Sequence, residues 1–428
     1  MNKMIDKLGL ENKQALIGFL SVITAGQLIY SGFEAFKGTF YNLLLEVLNV
    51  SNAELGAIFG LIGISVFFYI PGGWINNRFS IRSILIFGLA VRFITMCIIV
   101  FFTPSFAVLK VIAVIWGLID AFFWPAVLNG VIFFTDDKKK ALGFGLLESI
   151  RRAQEMLMNL LLVGIMALIS GIIVFKGGMF VYNLLIIPLI LLIIKYVPKN
   201  GIAKEDSETT VNISQKEKAL DALKGLVYVL LQPRVWLASV SAMSIYWCYI
   251  ILIYSVPYLQ SLYKLSTAQT ALFGILNTGL MGVFIGVIAG VISDFVFKSS
   301  SKMICVALLF SSITLACVVF FDTGLIMSII LIFAFSVTTF LSKSVILAPI
   351  AEFKIPEKYT GSAMSVGSFT AYAPIFWVYT MNGSLLDHYA GHEIDAYNII
   401  FKIGIIVALI GSFAALLLQL LNKKYKSA

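Results

Sequence analysis

Glu34, Lys37, Arg92, Asp120, Glu148, Arg151, Arg152, Glu155 and Lys343 are ionisable side chains set inside long apolar runs of a 428-residue chain. A charge at the centre of a bilayer costs about 3 kcal/mol on insertion scales, so nine facing lipid would cost on the order of 25 kcal/mol. That exceeds the roughly 5–15 kcal/mol by which a fold is stable. These groups must therefore pair with one another or line a wet cavity. An arginine fork suits a carboxylate, sulfonate or phosphate. A carboxylate in a low-dielectric site can carry a proton near neutral pH.

Their spacing separates the possible roles. Glu34 and Lys37 are three residues apart and share a helix face. Either they neutralise each other, or Lys37 binds an anion while Glu34 orients it or takes a proton. Arg92 and Asp120 fall at similar depths of neighbouring runs and are expected to form a structural pair. Glu148, Arg151, Arg152 and Glu155 follow the i, i+3, i+4, i+7 pattern of one helical stripe. Glu–Arg pairs should hold that stripe together while Arg151 or Arg152 faces a solute path. Lys343 lacks a partner in its own run, which makes it a second cation of a clamp or a lysine reaching towards the cytoplasm. Tyr30, Trp124 and Trp247 can stack on a polar solute, although packing accounts for most membrane aromatics. His388 and His392 have metal-ligand spacing, but a loop with two histidines is not read as a metal site.

The elements that must position these groups are membrane helices. Hydrophobic residues make up 60% of the chain and charged residues 12%, with a mean hydropathy of +0.97, whereas soluble domains carry about 25% charge. Runs of this length without period-two alternation indicate helices rather than barrel strands. We place twelve spans at about 14–45, 52–75, 83–101, 107–133, 141–170, 172–194, 235–260, 268–296, 302–321, 324–350, 359–386 and 396–421. Twenty-two lysines and arginines fall in the even-side segments, against Lys110, Lys176 and Lys264 in the opposite loops. This bias places both termini in the cytoplasm. It also turns the net charge of +9 into a topology signal and argues against a nucleic-acid partner. Cys97, Cys248, Cys305 and Cys317 lie in apolar runs and read as buried small residues. No signal peptide is expected, because the first run is too long for a leader core.

A polar stretch at 195–234 separates a bundle at 1–194 from one at 235–428. Two landmarks indicate that the halves are copies. Gly73 and Gly290 are 217 residues apart, and Gly143 and Gly361 are 218 apart. The offset makes Tyr30 and Trp247 repeat mates. The expected fold is an all-α membrane protein with twelve transmembrane helices in two parallel six-helix pseudo-repeats.

The turn Gly73, Asn77, Arg78, Arg82 resembles the signature Gly-x-x-x-Asp-Arg-x-Gly-Arg-Arg of the major facilitator superfamily. Asn77 stands where the superfamily has Asp, and Ser80 where it has Gly. Gly290 and Asp294 form a looser second copy without the arginine. A finer match, through Tyr30, Lys37-Gly-Thr-Phe40, Trp124-Pro125 and Tyr258-Leu259, is similar to the organophosphate:phosphate antiporter and organic-anion branch. In that branch a first-span arginine grips the substrate anion, and Lys37 falls at its place. Arg151 falls where the branch has a functional histidine, and Cys248 stands near a missing second arginine.

The resemblance implies a secondary transporter working by alternating access, with the turns at 76–82 and 298–302 latching the inward-closed state. Its expected cargo is a small organic anion such as a sugar acid, a carboxylate or a phosphorylated or sulfonated sugar. Glu34, Asp120 and Glu148 are candidate proton carriers for symport, with exchange or facilitated diffusion as alternatives. An exporter of amphipathic cations and a non-transporting membrane receptor are the rival readings. No Walker loop, dinucleotide fingerprint or nucleophile elbow is present, so no ATP, cofactor or enzymatic activity is expected. The expected setting is a bacterial-type plasma membrane, with the lipid bilayer, a small anionic solute and protons as partners of a monomer.

Overall fold

A computed structural model describes residues 12–68, 72, 75–76, 78–135, 140–169, 171–199, 227–322, 324–352 and 357–426. Most of the 195–234 stretch, Gly73 and Asn77 thus lie outside the described residues. The chain divides into two compact units, Met1–Ser207 and Glu208–Ala428. Both are helical, and the described helices fall into twelve tracks.

In the first unit these helices are α1 (Lys13–Ser31), α2 (Tyr41–Leu48), α3 (Asn52–Ile62), α4 (Ile81–Phe102), α5 (Phe106–Phe134), α6 (Lys140–Leu168), α7 (Ile172–Leu184) and α8 (Ile186–Tyr196). In the second they are α9 (Pro233–Tyr263), α10 (Thr267–Gly274), α11 (Met281–Val291), α12 (Ser300–Phe320), α13 (Gly324–Ser344), α14 (Ala348–Glu352), α15 (Glu357–Tyr372), α16 (Val378–His388) and α17 (Glu393–Lys426). Among the described residues, nine helical stretches are long and apolar enough to cross a membrane, and the bent pair Tyr41–Leu48 with Asn52–Phe68 makes a tenth. The remaining tracks are α6, interrupted by its row of charges, and α15–α16.

The first predicted span is not one helix. α1 stops at Gly32, a short 3₁₀ turn covers Glu34–Phe36, and α2 then runs into α3 with a bend of 98°. Each unit closes one early turn in the same way. Asn49 and Lys264 both take left-handed backbone at φ 53°. Two residues later, Ser51 with Glu54 and Ser266 with Gln269 form capping boxes that start α3 and α10. Each box satisfies helix N-terminal amides that a membrane cannot hydrate. This shared turn chemistry is the internal repeat in structural form.

The core of the first unit is built from α1, α4, α5 and α8, with Phe19, Val22, Ile23, Leu85, Leu89, Phe123 and Val127 buried. In the second, α12 and α17 pack along their length, and the Ser412 hydroxyl donates to the Cys305 carbonyl at 2.8 Å to fix their register. α10 and α11 are joined by a π-helical turn, Ile275–Leu280, and α11 ends in another, Ile292–Phe297. Such turns widen the backbone ring, release carbonyls and occur often at functional sites.

Candidate functional site

In the first unit the charges form a connected row across α1, α4, α5 and α6. Arg92 is 2% exposed on α4, and its guanidinium pairs with Glu34 from the 3₁₀ turn. It lies 3.5 Å from the centroid of the Trp116 ring. The Trp116 indole N–H donates to Thr95 at 2.8 Å, and Phe33 meets the same ring edge-on. The cation is thus enclosed by an acid, an indole and the helix that carries it.

This arrangement decides between the two readings of Glu34 and refines the expected Arg92–Asp120 pair. Glu34 is joined to Arg92 rather than to Lys37, three residues away. Arg92 has no access to water, so its desolvation must be offset by a counter-ion. Lys37 is half-buried, with its ammonium 5.5 Å from the Phe59 centroid. Asp120 is within electrostatic range of Arg92 but does not form the expected salt bridge with it. It is 7% exposed, faces the Tyr30 hydroxyl, and its Oδ1 has no hydrogen-bond partner among the described residues.

Arg151 extends the row. Its Nε donates to the Gly26 carbonyl at 3.1 Å, and a terminal nitrogen donates to Glu148 at 3.1 Å. The guanidinium lies 4.5 Å from the Trp124 ring and 5.8 Å from the Tyr30 ring. A Cβ at Gly26 would meet Val127 at 3.0 Å and the Trp124 ring at 3.6 Å, so the glycine lets α1 approach α5 closely beside this arginine. The predicted stripe on α6 resolves into two local pairs, Glu148–Arg151 and Arg152–Glu155, the latter at 3.0 Å. Arg151 is turned inward with 14% of its side chain exposed, while Glu148 is 55% exposed. Beside them Gln154 donates to Thr24 at 2.9 Å, so α6 is tied to α1 by side chains of two chemistries.

The second unit is aromatic and amide-rich at its centre. Lys343 on α13 lies 4.0 Å from the Tyr249 centroid and 5.8 Å from that of Phe340. Tyr249 packs on Tyr246, which packs on Tyr372. Trp247 meets Trp377 at 6.0 Å, and its indole N–H is buried without an acceptor among the described residues. Asn382 on α16 is fully buried, with neither amide atom bonded among those residues. Asn277, in the first π turn, donates to Ser255 and accepts from Ser336 through its carbonyl, while its Oδ1 is unmatched. A buried polar group left unmatched costs about 1–3 kcal/mol, so Trp247, Asn277 and Asn382 together call for a solute or water.

Arg78 is exposed and Arg82 half-buried at the polar turn. Gly290 faces open space, and Asp294 falls in the second π turn with its side chain outside the described residues. The firmest contacts near the signature come from residues the sequence reading missed. Asn76 donates to the carbonyls of Gly72 and Phe122, both at 2.9 Å, and receives Asn129. A Cβ on Gly72 would come within 2.1 Å of the Ala121 carbonyl, the group that Pro125 leaves without its helical donor. An asparagine and a glycine beside a helix proline were the available signal. Trp116, Asn277 and Asn382 carried only a weaker one, as polar-edged residues inside apolar runs.

A two-unit helical membrane protein with charges and unmatched polar groups held in its interior is the architecture of a secondary transporter. The family model of the Major Facilitator Superfamily matches residues 22–379, and the chain belongs to that family of membrane transporters. It is 24% identical over 417 residues to the inner membrane protein YihN of Escherichia coli (strain K12), covering 95% of this chain and 96% of that protein. It is 20% identical to the inner membrane protein YqcE of the same organism, covering 85% and 87% of the two chains. Among solved structures, a bacterial homologue of the human lysosomal transporter Spinster, inward-facing and unoccupied, superposes with a TM-score of 0.73 at 13% identity, covering 95% of this chain and 98% of that one. The nucleoside transporter NupG gives 0.71 at 13%, covering 95% and 99%. These two likenesses concern the fold.

Proposed function

We propose that this chain moves a small organic anion across the membrane by alternating access, with Arg151 as the principal anion-binding group. The observation that carries this reading is the setting of Arg151. Its guanidinium is fixed by the Gly26 carbonyl, flanked by Trp124 and Tyr30, and balanced by a Glu148 carboxylate that is itself largely exposed. The contacts to Gly26 and Glu148 engage Nε and one terminal nitrogen. The other terminal nitrogen remains for a carboxylate, sulfonate or phosphate oxygen, the geometry in which arginine exceeds lysine. Lys37 and Arg152 supply further positive charge within the same unit. An exporter of amphipathic cations would use Glu34 and Asp120 as cation sites, and of these Glu34 already serves Arg92.

Coupling is assigned to Asp120, the buried carboxylate beside Tyr30. A proton on Asp120 weakens its hold on the neighbourhood of Arg92 and Tyr30, which links protonation to the ring beneath Arg151. The protein in proteoliposomes, given an inward proton gradient, should accumulate an anionic sugar acid or sugar phosphate. Arg151→Gln should lose that uptake while staying folded. Asp120→Asn should keep exchange of internal for external solute but lose the response to the gradient. Stabilisation of the purified protein by cationic rather than anionic compounds would sink the reading.

A further inference from the structure

Two side-chain bonds join α6 to α1, and they cross. Arg151 donates through Nε to the Gly26 carbonyl at 3.1 Å. Gln154, three residues later on α6, donates to the Thr24 hydroxyl at 2.9 Å, two residues earlier on α1. As the first and fifth tracks of an alternating bundle, α1 and α6 run in the same direction. A slide of α6 that relaxes the reach of Arg151 therefore stretches that of Gln154, and the reverse slide stretches the other bond. Apolar packing does not supply this control. The face of α6 that carries Gln154 continues through Leu161, Ile165 and Leu168, and all three are exposed. Both Thr24 and Gln154 are half-buried, and their bond is part-buried between the helices. What the crossed bonds hold is the Arg151 guanidinium, 4.5 Å from the Trp124 ring on α5 and 5.8 Å from the Tyr30 ring on α1. A slide along α1 would carry the cation across both rings. A binding group works when its supporting shell holds it to within about 0.5 Å.

We propose that Thr24 and Gln154 are the positioning residues of the anion site, setting the height of the Arg151 fork over Trp124 and Tyr30. The inference rests on Arg151 as the anion-binding group. Neither Thr24 nor Gln154 has to touch the solute. Without the Thr24 acceptor, α6 is free to slide in the direction that the Gly26 bond does not oppose. A binding anion must then restore the geometry, and the ordering comes out of its affinity. The effect falls on the half-saturating concentration rather than on the maximal rate.

The test uses the full-length protein, first in detergent without solute and then in proteoliposomes. The Trp124 contribution to tryptophan emission is the difference between each protein and its Trp124→Phe counterpart. Thr24→Val keeps the side-chain shape and removes the hydroxyl. It should shift that contribution most of the way to its position in Arg151→Gln, and Thr24→Ser should leave it in place. In the Arg151→Gln background, Thr24→Val should produce no further shift. In proteoliposomes the probes are gluconate and glucose 6-phosphate, driven by an inward proton gradient. For whichever is taken up, Thr24→Val and Gln154→Leu should each raise the half-saturating concentration about fivefold, with the maximal rate within about twofold. Thr24→Ser should behave as the original protein. If Thr24→Val does not fold, Gln154→Leu takes its place in the emission comparison. An unmoved Trp124 contribution in the folded variants overturns the proposal. So does Thr24→Ser behaving like Thr24→Val, or a loss of maximal rate at unchanged half-saturation. A protein that takes up neither probe removes the sugar-anion reading, while the emission comparison still decides the positioning role.

Discussion

The two units share a turn chemistry and a fold, yet they stabilise their interiors in opposite ways. The first pairs its charges, deeply buried for Arg92 on Glu34 and partly exposed for Arg151 on Glu148 and Arg152 on Glu155, and keeps Asp120 buried beside them. The second buries neutral groups. Tyr254 donates to the Tyr379 carbonyl, Ser311 meets Thr338, and Tyr263 meets Ser328. A neutral hydrogen bond contributes about 0.5–1.5 kcal/mol net, whereas breaking a buried ion pair costs about 3–5 kcal/mol. The first unit therefore risks most on one buried ion pair, Arg92 with Glu34, whereas the bonds named in the second are individually inexpensive. Within one repeated architecture, charge is concentrated in the first unit.

That contrast can be broken experimentally. The largest effect should follow Arg92→Ala, which strands Glu34 and should cost about 3–5 kcal/mol in chemical denaturation. The double variant Glu34→Gln with Arg92→Met should recover most of that loss, and failure to recover would show that the pair does more than satisfy itself. Arg151→Gln should lower uptake by at least tenfold, with a melting temperature within a few degrees of the original. Lys343→Gln should lower uptake less, by a few-fold, because its ammonium already rests against the Tyr249 ring. Tyr254→Phe should cost only about 1 kcal/mol. A Tyr254→Phe loss as large as that of Arg92→Ala would end the distinction between the units.

Much of this was legible in the sequence. The length of the apolar runs gave the twelve tracks, and the i, i+3, i+4, i+7 spacing on α6 gave two ion pairs, because both partners of each pair are local. What failed was non-local. Glu34 has a candidate partner three residues away, and only the break after α1 and the burial of Arg92 on α4 decide for the distant one. The break itself was hidden inside an apolar run, where period and hydropathy do not report a 3₁₀ turn. The π turns were invisible for the same reason. The signature turn was located by its glycine and arginines, but the contacts that seat it belong to Gly72 and Asn76, which the pattern does not include.

Those contacts have a mechanical consequence. Pro125 gives α5 a weak point in its hydrogen-bond ladder, and the Asn76 amide and the bare Gly72 backbone close over that point as a splint closes over a fracture. Any straightening or sharpening of α5 must then be transmitted to the turn that follows, and any pull on the turn is felt at Ala121 and Phe122, next to Asp120 and Trp124. The polar turn is in this sense the handle of a crank whose throw ends beside the Trp124 ring that Arg151 faces.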